Sequence, residues 1–501
     1  MISAAPILSI VVLLAGAFII PIISLIQKKT DRTGACGYFA LGFMILTLLL
    51  VLSMAPKVWN GEIIIYKLAG RSPPLGINLT IDGLAIQMAL MIGILGSAVI
   101  AYSIPFMKDK DELGKFYTLI LTSIAGMMGI VLTGDIFNFY VFLEIMSISS
   151  YGLIAIHRDS DGLVAGLKYL FIGTAESSFI LLGITLLYGT IGSLNIADIG
   201  AKIKAIQSAA QAMPDILLLA LALFVTGILI KTAMVPFHGW LVDAIASAPT
   251  PVSALLAGPE AVVGIYLIVR IPYLPFRTSI GSILIGFGAV SMVVGVLMAL
   301  LSSKFKKMLA YHVISQKGYM VMAIGIGTAL GLKGGLFHLL NHSTYKSLLL
   351  MSAGVVVMRL NTQNFDDYGG LLKKMPYVAL TFLVGALAIS GVPPLNGFLS
   401  KFTIYLAGID ADLPILTFLA LLASALTLAS FFKAFKKTFL GQESESHKDV
   451  KGVPLGMLIP MLILAAICII VGLLPSLGFN IVEPAQRSVV HAEKYINAAL
   501  K

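Results

Sequence analysis

The stretch "GDIFNFYVFLEIMSISSYGLIAI" (134–156) carries a carboxylate, Glu144, at the centre of what otherwise reads as a helix made for hydrocarbon. About 20 apolar residues span a bilayer, and a carboxylate at mid-depth costs roughly 2.5–3.5 kcal/mol on insertion scales. Such a residue is kept for a partner or a task. Tyr140, Glu144, Ser147 and Tyr151 recur at helical spacing, so the acid belongs to a polar stripe facing protein or water. Two further apolar stretches are interrupted beside a lysine. "GILIKTAMVPFHGWL" (227–241) holds Lys231 and then Pro236, which removes a backbone donor and breaks the helix. "AISGVPPLNGFLSKF" (388–402) holds Pro393, Pro394 and Lys401.

The two interruptions resemble one another, VPFHGWL (235–241) against VPPLNGFL (392–399). They lie an odd number of spans apart, so the halves enter the membrane in opposite sense, the pattern of inverted repeats with discontinuous helices. "LFHLLNHSTYKSLLL" (336–350) adds His338, His342 and Lys346, four apart, as one drifting stripe on a helix. Lys168, Glu176, Glu260, His312 and Lys317 lie within or at the ends of other apolar stretches and make an additional candidate path. Glu, Lys and His exchange protons when their surroundings bring them near neutrality. A file of them linked by water suits a proton relay, with Glu144 and Lys231 expected as a switchable pair.

Plainer readings stand beside this one. A Glu144–lysine pair would merely lock two helices, although a buried ion pair seldom improves stability. His338 and His342 have metal-ligand spacing, yet HLLNH lacks the glutamate of HExxH and a third ligand, so no metal is expected. His312 and Lys317 would snorkel to a helix end. Glu176 and Glu260 would be satisfied locally, by Ser177, Ser178 or backbone groups. "GIGTALG" (325–331) has no preceding strand and reads as close helix packing.

The elements that must hold these residues follow from composition. Of 501 residues, 58% are hydrophobic and 12% charged, about half the charged share of soluble domains. The chain is an all-α polytopic membrane protein with about fourteen apolar spans. The first, near Ile7 to Ile26, has no basic residue before it and reads as a span and not a cleavable signal. Loops after odd-numbered spans carry Lys28, Lys29 and Arg32, Lys108, Lys110 and Lys115, Arg158, and Lys304, Lys306 and Lys307. That places them in the cytoplasm and both termini outside. The segment Trp59 to Asp82 suggests an external hairpin, and 189–213 an amphipathic surface segment. The net charge of +10 reflects these loops, and no basic stretch interleaved with aromatics supports nucleic-acid binding. Cys36 and Cys468 form no CxxC, so no haem, iron–sulfur or other cofactor is expected in this chain. No side-chain set suggests bond-breaking catalysis; the chain is read as a transporter and not itself an enzyme.

"GDIFNFYVFLEIMSISSYGLIA", "LIKTAMVPFHGWLVDAIASAPTPVSALLAG", "MLAYHVISQKGYMVMAIG", "LFHLLNHSTYKSLLLMSAG" and "GVPPLNGFLSKF" together resemble the antiporter-like subunits of several systems. These are Mrp-type cation/proton antiporters (their D-type subunit), membrane-bound energy-converting hydrogenases, and respiratory complex I. The resemblance implies fourteen spans with two inverted five-helix repeats, 111–272 and 273–440, flanked by 1–110 and 441–501. It identifies Glu144 with the family's glutamate of span five and Lys231 with the lysine of broken span seven. His338 and Lys346 match span eleven, and Lys401 the ionisable residue of broken span twelve. One position departs: "LLAGPEAVVG" has Val262 where the family often has lysine, with Glu260 two residues earlier. Glu176 and Glu260 would then supply a different path or a sodium-coordinating carboxylate, and Lys317 would compensate from the next helix.

The implied function is translocation of protons, with sodium as a further candidate ion, in a cell-membrane complex with homologous antiporter-like and small membrane subunits. A stand-alone Mrp-type antiporter and a non-pumping brace of the membrane arm are the alternatives. Idle scaffolds gain nothing by burying Glu144, Lys231, Lys346 and Lys401.

Overall fold

The computed structural model describes residues 4–30, 34–74, 76–108, 112–440, 442 and 452–501. Arg32 and Lys110, two of the loop charges, lie outside the described residues, as do the side chains of Lys28 and Lys29.

The chain is a bundle of helices with one small hairpin. α1 (Ala5–Thr30) and α2 (Ala35–Trp59) lead into β1 (Ile64–Lys67) and β2 (Asn78–Ile81), antiparallel with Ile64 opposite Ile81. Then come α3 (Gly83–Phe106), α4 (Leu113–Leu132), α5 (Ile136–Ile154) and α6 (Ser160–Ile191). The amphipathic segment forms α7 (Ile196–Ala210), started by Asn195, whose side chain accepts from the amides of Ala197 and Asp198. α8 (Asp215–Lys231) and α9 (Gly239–Ser247) are the halves of one interrupted helix, and α10 (Thr250–Ala257) and α11 (Pro259–Tyr273) of another. α12 (Gly281–Leu301), α13 (Phe305–Ile326) and α14 (Ala329–Leu360) follow. α15 (Pro376–Ser390) and α16 (Asn396–Asp410) flank the third interruption. α17 (Pro414–Phe435) and α18 (Leu455–Leu473) precede two short helices, α19 (Pro475–Val490) and α20 (Ala492–Ala499).

Among the described residues ten helices are long and apolar enough to cross a membrane, so the chain is a polytopic all-α membrane protein. Its polarity runs inside out. α1, α2, α12 and α17 turn large apolar side chains outward, including Phe18, Phe39, Leu301 and Phe418. α13 and α14 keep His312, Gln316, Lys317, His338, Asn341, His342 and Lys346 buried. The outer faces are apolar as a membrane requires, and the polar groups are left to satisfy one another within the bundle.

Small residues set the closest approach around α13. A Cβ on Gly288 of α12 would stand 2.5 Å from the Met322 amide nitrogen, and one on Gly318 of α13 would stand 2.5 Å from that of Met292. Gly325 meets Gly281 in the same way, which is the close packing read from GIGTALG.

A buried ion pair ties the start of α3 to the end of α11. The Arg270 guanidinium, near the end of α11, donates to both oxygens of Asp82 at 2.9 and 2.7 Å. Asp82 is also the cap of α3, accepting from the Ala85 amide. Arg270→Met would strand a buried carboxylate and is expected to lower stability by about 3–5 kcal/mol, measured as thermal unfolding of the purified protein in detergent. A second tie is exposed: Glu493 of α20 accepts from Arg277 at 2.5 Å and Lys204 of α7 at 2.7 Å. The Arg277 and then the Lys204 hydrogen bonds hold its carboxyl down at about 2, against an ordinary 4.5. A depressed folded value means the docking contribution is complete above pH 4.5 and lost as pH falls towards 2. Hydrogen exchange over 492–499 is expected to rise through that window, and Glu493→Gln to abolish the dependence.

Candidate functional site

Three interruptions of the helical backbone build the site. Pro236 has no amide hydrogen, and Ala233 turns to φ 57°, so α8 ends at Lys231 with carbonyls left over. The Ile230 carbonyl accepts from the Trp240 indole at 3.2 Å, and the Thr232 carbonyl accepts from the Lys317 ammonium at 3.1 Å. In the second interruption Gly258 allows close contact with α14: a Cβ there would meet the Ser347 Oγ at 2.1 Å. Pro259 then restarts the helix and sets Glu260 in the first turn of α11, where unpaired amides favour an anion. In the third, Gly391 at φ 76° ends α15, and the freed Ser390 carbonyl accepts from Ser424. Ser424 in turn accepts from the Lys401 ammonium at 3.0 Å.

Lys231 is the centre of the first cluster. Its ammonium, 1% exposed, donates to Tyr169 Oη at 2.7 Å and to Ser147 Oγ at 2.8 Å. Glu260 Oε1 lies 3.5 Å away and Glu176 Oε2 4.0 Å away. Glu260 accepts from Tyr169 at 2.5 Å and from Ser150 at 3.0 Å. Glu176 Oε1 is buried without a hydrogen-bond partner. Lys317 is within electrostatic reach of both Glu260 and Lys231.

The second cluster continues along α14. His342 feels the charges of Lys317, His338 and Lys346, with the Ala257 backbone alongside. Neither its ring nitrogens nor the Lys346 ammonium makes a hydrogen bond of ordinary geometry with the protein. His338 is fully held, by Ser400 at 2.9 Å, Gln316 at 3.1 Å and Tyr345 at 3.4 Å. The His338 and His342 rings lie 6.5 Å apart. Lys401 closes the file, its ammonium 4.7 Å from the centre of the Tyr319 ring, which stands 5.7 Å from that of His338. His312 bonds Ser430 at 2.9 Å and feels the charges of Lys346 and Lys401.

Several expectations change. Among the described residues the carboxylates within 4.0 Å of Lys231 are Glu260 and Glu176, not Glu144. α6 packs between α5 and α8 and brings its own acid, Glu176, to the lysine. Ser147, one turn from Glu144, makes the α5 contact. Glu144 itself is half-buried, close enough to Glu176 for the two carboxyl charges to interact. His312 and Lys317 do not snorkel: they are 0% and 2% exposed. Nor is Glu260 satisfied locally, since its partners come from α5, α6 and α8. Val262 is buried in α11. Lys168 stands apart, 54% exposed and paired with Asp243 at 2.6 Å. It lines an open cleft of about 330 Å³ with Asp159, Lys304 and Lys307.

Sequence reasoning misses Tyr169, Ser150, Trp240, Gln316 and Tyr345. Tyr169 has a usable signal, since it precedes Glu176 by seven residues and shares its helix face. Trp240 lies within the VPFHGWL break itself. Nothing in the local pattern marks Gln316 or Tyr345.

This arrangement can hold and hand on protons or small cations in an interior closed to lipid. Residues 133–427 match the family model described as NADH:quinone oxidoreductase/Mrp antiporter, TM, and residues 71–117 that of the complex I chain 5 N-terminus. The chain is 34% identical to the N-type subunit of the NADH-quinone oxidoreductase of Desulforudis audaxviator, covering 87% of this chain and 90% of that one. It is 31% identical to the D-type subunit of the Na+/H+ antiporter of Alkalihalophilus pseudofirmus, covering 92% and 93%. Among solved structures it superposes with TM-score 0.89 on a chain of the membrane-bound sulfane sulfur reductase, an archaeal respiratory membrane complex, at 29% identity and 99% coverage of both. The chain therefore belongs to the NADH:quinone oxidoreductase/Mrp antiporter family of membrane proteins.

Proposed function

We propose that this chain is the proton-translocating, antiporter-like membrane subunit of a multisubunit energy-converting complex. The observation that carries the reading is the buried file running from Glu176, Lys231 and Glu260 through Lys317 and His342 to Lys346, His338 and Lys401. Burying that many ionisable groups is costly and adds little to stability, so selection for translocation accounts for it. Glu144, half-buried at the α5 edge, is the acid at which charge from a neighbouring subunit reaches the file.

The finer architecture belongs to the same proposal. Fourteen crossings, two inverted five-helix repeats over 111–272 and 273–440, and both termini outside the cytoplasmic membrane agree with the helix order and the basic loops. In this reading Lys317 takes the place of the lysine replaced by Val262. The partners are homologous antiporter-like and small membrane subunits, and the driving force arises in them.

A second reading, the D-type subunit of a stand-alone Na+/H+ antiporter, is favoured by similarity to such a subunit over 92% of this chain. Sodium would meet oxygen ligands at Glu176 and Glu260.

In membrane vesicles carrying the whole complex, proton movement is read with a pH-sensitive dye after a sodium pulse or an electron donor. Lys231→Ala is expected to lower coupled transport by about 100-fold with assembly intact, and wild-type transport would overturn the proposal. Glu260→Gln is expected to have a similar effect; unaltered transport would remove Glu260 from the path. A response to electron donor that ignores sodium selects the first reading over the second.

A further inference from the structure

Lys231 and Glu260 face each other at 3.5 Å, longer than the 2.7–2.9 Å typical of a charge-assisted hydrogen bond. The short path between them runs through a third atom. Tyr169 Oη accepts from the Lys231 ammonium at 2.7 Å and donates to Glu260 Oε1 at 2.5 Å. The tyrosine is fully buried and its ring is fixed on both sides. It stacks on Trp240 with ring centres 3.9 Å apart and planes 11° apart, and Tyr151 meets it edge-on at 4.6 Å. Trp240 is tied to the carbonyl of Ile230, the residue before Lys231, so the stacked pair is registered to the lysine's own backbone.

We propose that Tyr169 is the proton carrier between Lys231 and Glu260, a role that rests on the translocation reading above. As the ammonium passes a proton to the phenol oxygen, the phenol passes its own to the carboxylate. One N–H and one O–H bond break, and two O–H bonds form. The tyrosine is neutral before and after, and no electrons change hands. The products are a neutral amine and a neutral acid, so the charges that hold the cluster together disappear as a pair. Rotation of the hydroxyl about its C–O bond resets the carrier while the ring stays clamped. Ser147 and Ser150 hold the outer sides of donor and acceptor at 2.8 and 3.0 Å, which keeps both aimed at the same oxygen. Phenylalanine would fill the same space and keep the stacking, so packing alone does not call for the hydroxyl.

The test uses the whole complex in vesicles. Tyr169→Phe is expected to lower coupled proton transport by about 100-fold, with the complex assembled and the Lys231→Ala control equally silent. Wild-type rates in Tyr169→Phe beside a silent Lys231→Ala would overturn the carrier and leave the translocation reading standing. An active Lys231→Ala would overturn that reading itself. Should Tyr169→Phe fail to assemble, 3,5-difluorotyrosine at 169 keeps the ring and the hydroxyl while making the phenol more acidic. A carrier then changes the coupled transport rate at fixed pH, whereas a wild-type rate overturns the proposal.

Discussion

A buried ammonium needs acceptors within reach, and the interrupted helices supply them. A continuous helix spends its carbonyls first on its own amides and leaves only their second lone pairs to side chains. Ending α8 at Lys231 leaves the Thr232 carbonyl to Lys317, and the Ile230 carbonyl takes the Trp240 indole beside the Ala233 amide. Restarting the chain at Pro259 sets Glu260 at a helix beginning, facing that lysine. The third interruption does the same for Lys401 through Ser390 and Ser424. Proline and glycine, poor helix formers, are here the means of placing charge in an apolar interior.

The two ends of the file differ in kind. Around Lys231 acids are abundant and, Glu176 Oε1 apart, the polar atoms are matched, which makes a compact knot. Around Lys346 no acid lies within 4.0 Å among the described residues, and His342 beside it has only the Ala257 backbone alongside. A buried cation without a protein acceptor is tolerated only if water reaches it or if it gives up its proton. Lys317 stands between the two regions, in electrostatic contact with both. Discharging the knot alters the field at Lys317 and, through it, at His342. That gives the file a physical reason to pass charge in steps.

How much of this the sequence discloses depends on range. The broken helices are legible because proline acts on its own backbone, and the stripe of His338, His342 and Lys346 because spacing of four is local. The hairpin at Ile64–Lys67 and Asn78–Ile81 and the surface helix Ile196–Ala210 are legible for the same reason. Partner choice is not. Glu144 is the conspicuous acid, yet Lys231 meets Glu176 and Glu260, because the order in which helices pack lies outside any single helix's pattern. His312 and Lys317 look like end-of-helix charges, but α13 runs through the middle of the bundle. Tyr169 escapes notice because a tyrosine in an apolar span is unremarkable until its hydroxyl is seen between an acid and a base.

The central claim is a continuous hydrated route from the Lys231 knot to Lys401, sealed from lipid. A cryo-electron-microscopy map of the assembled complex, sharp enough to show ordered water, tests it most directly. The account predicts water bridging Lys317, His342, Lys346 and Lys401 in an unbroken chain. Density showing those groups separated by packed apolar side chains, or Lys346 in contact with an acyl chain, would contradict it.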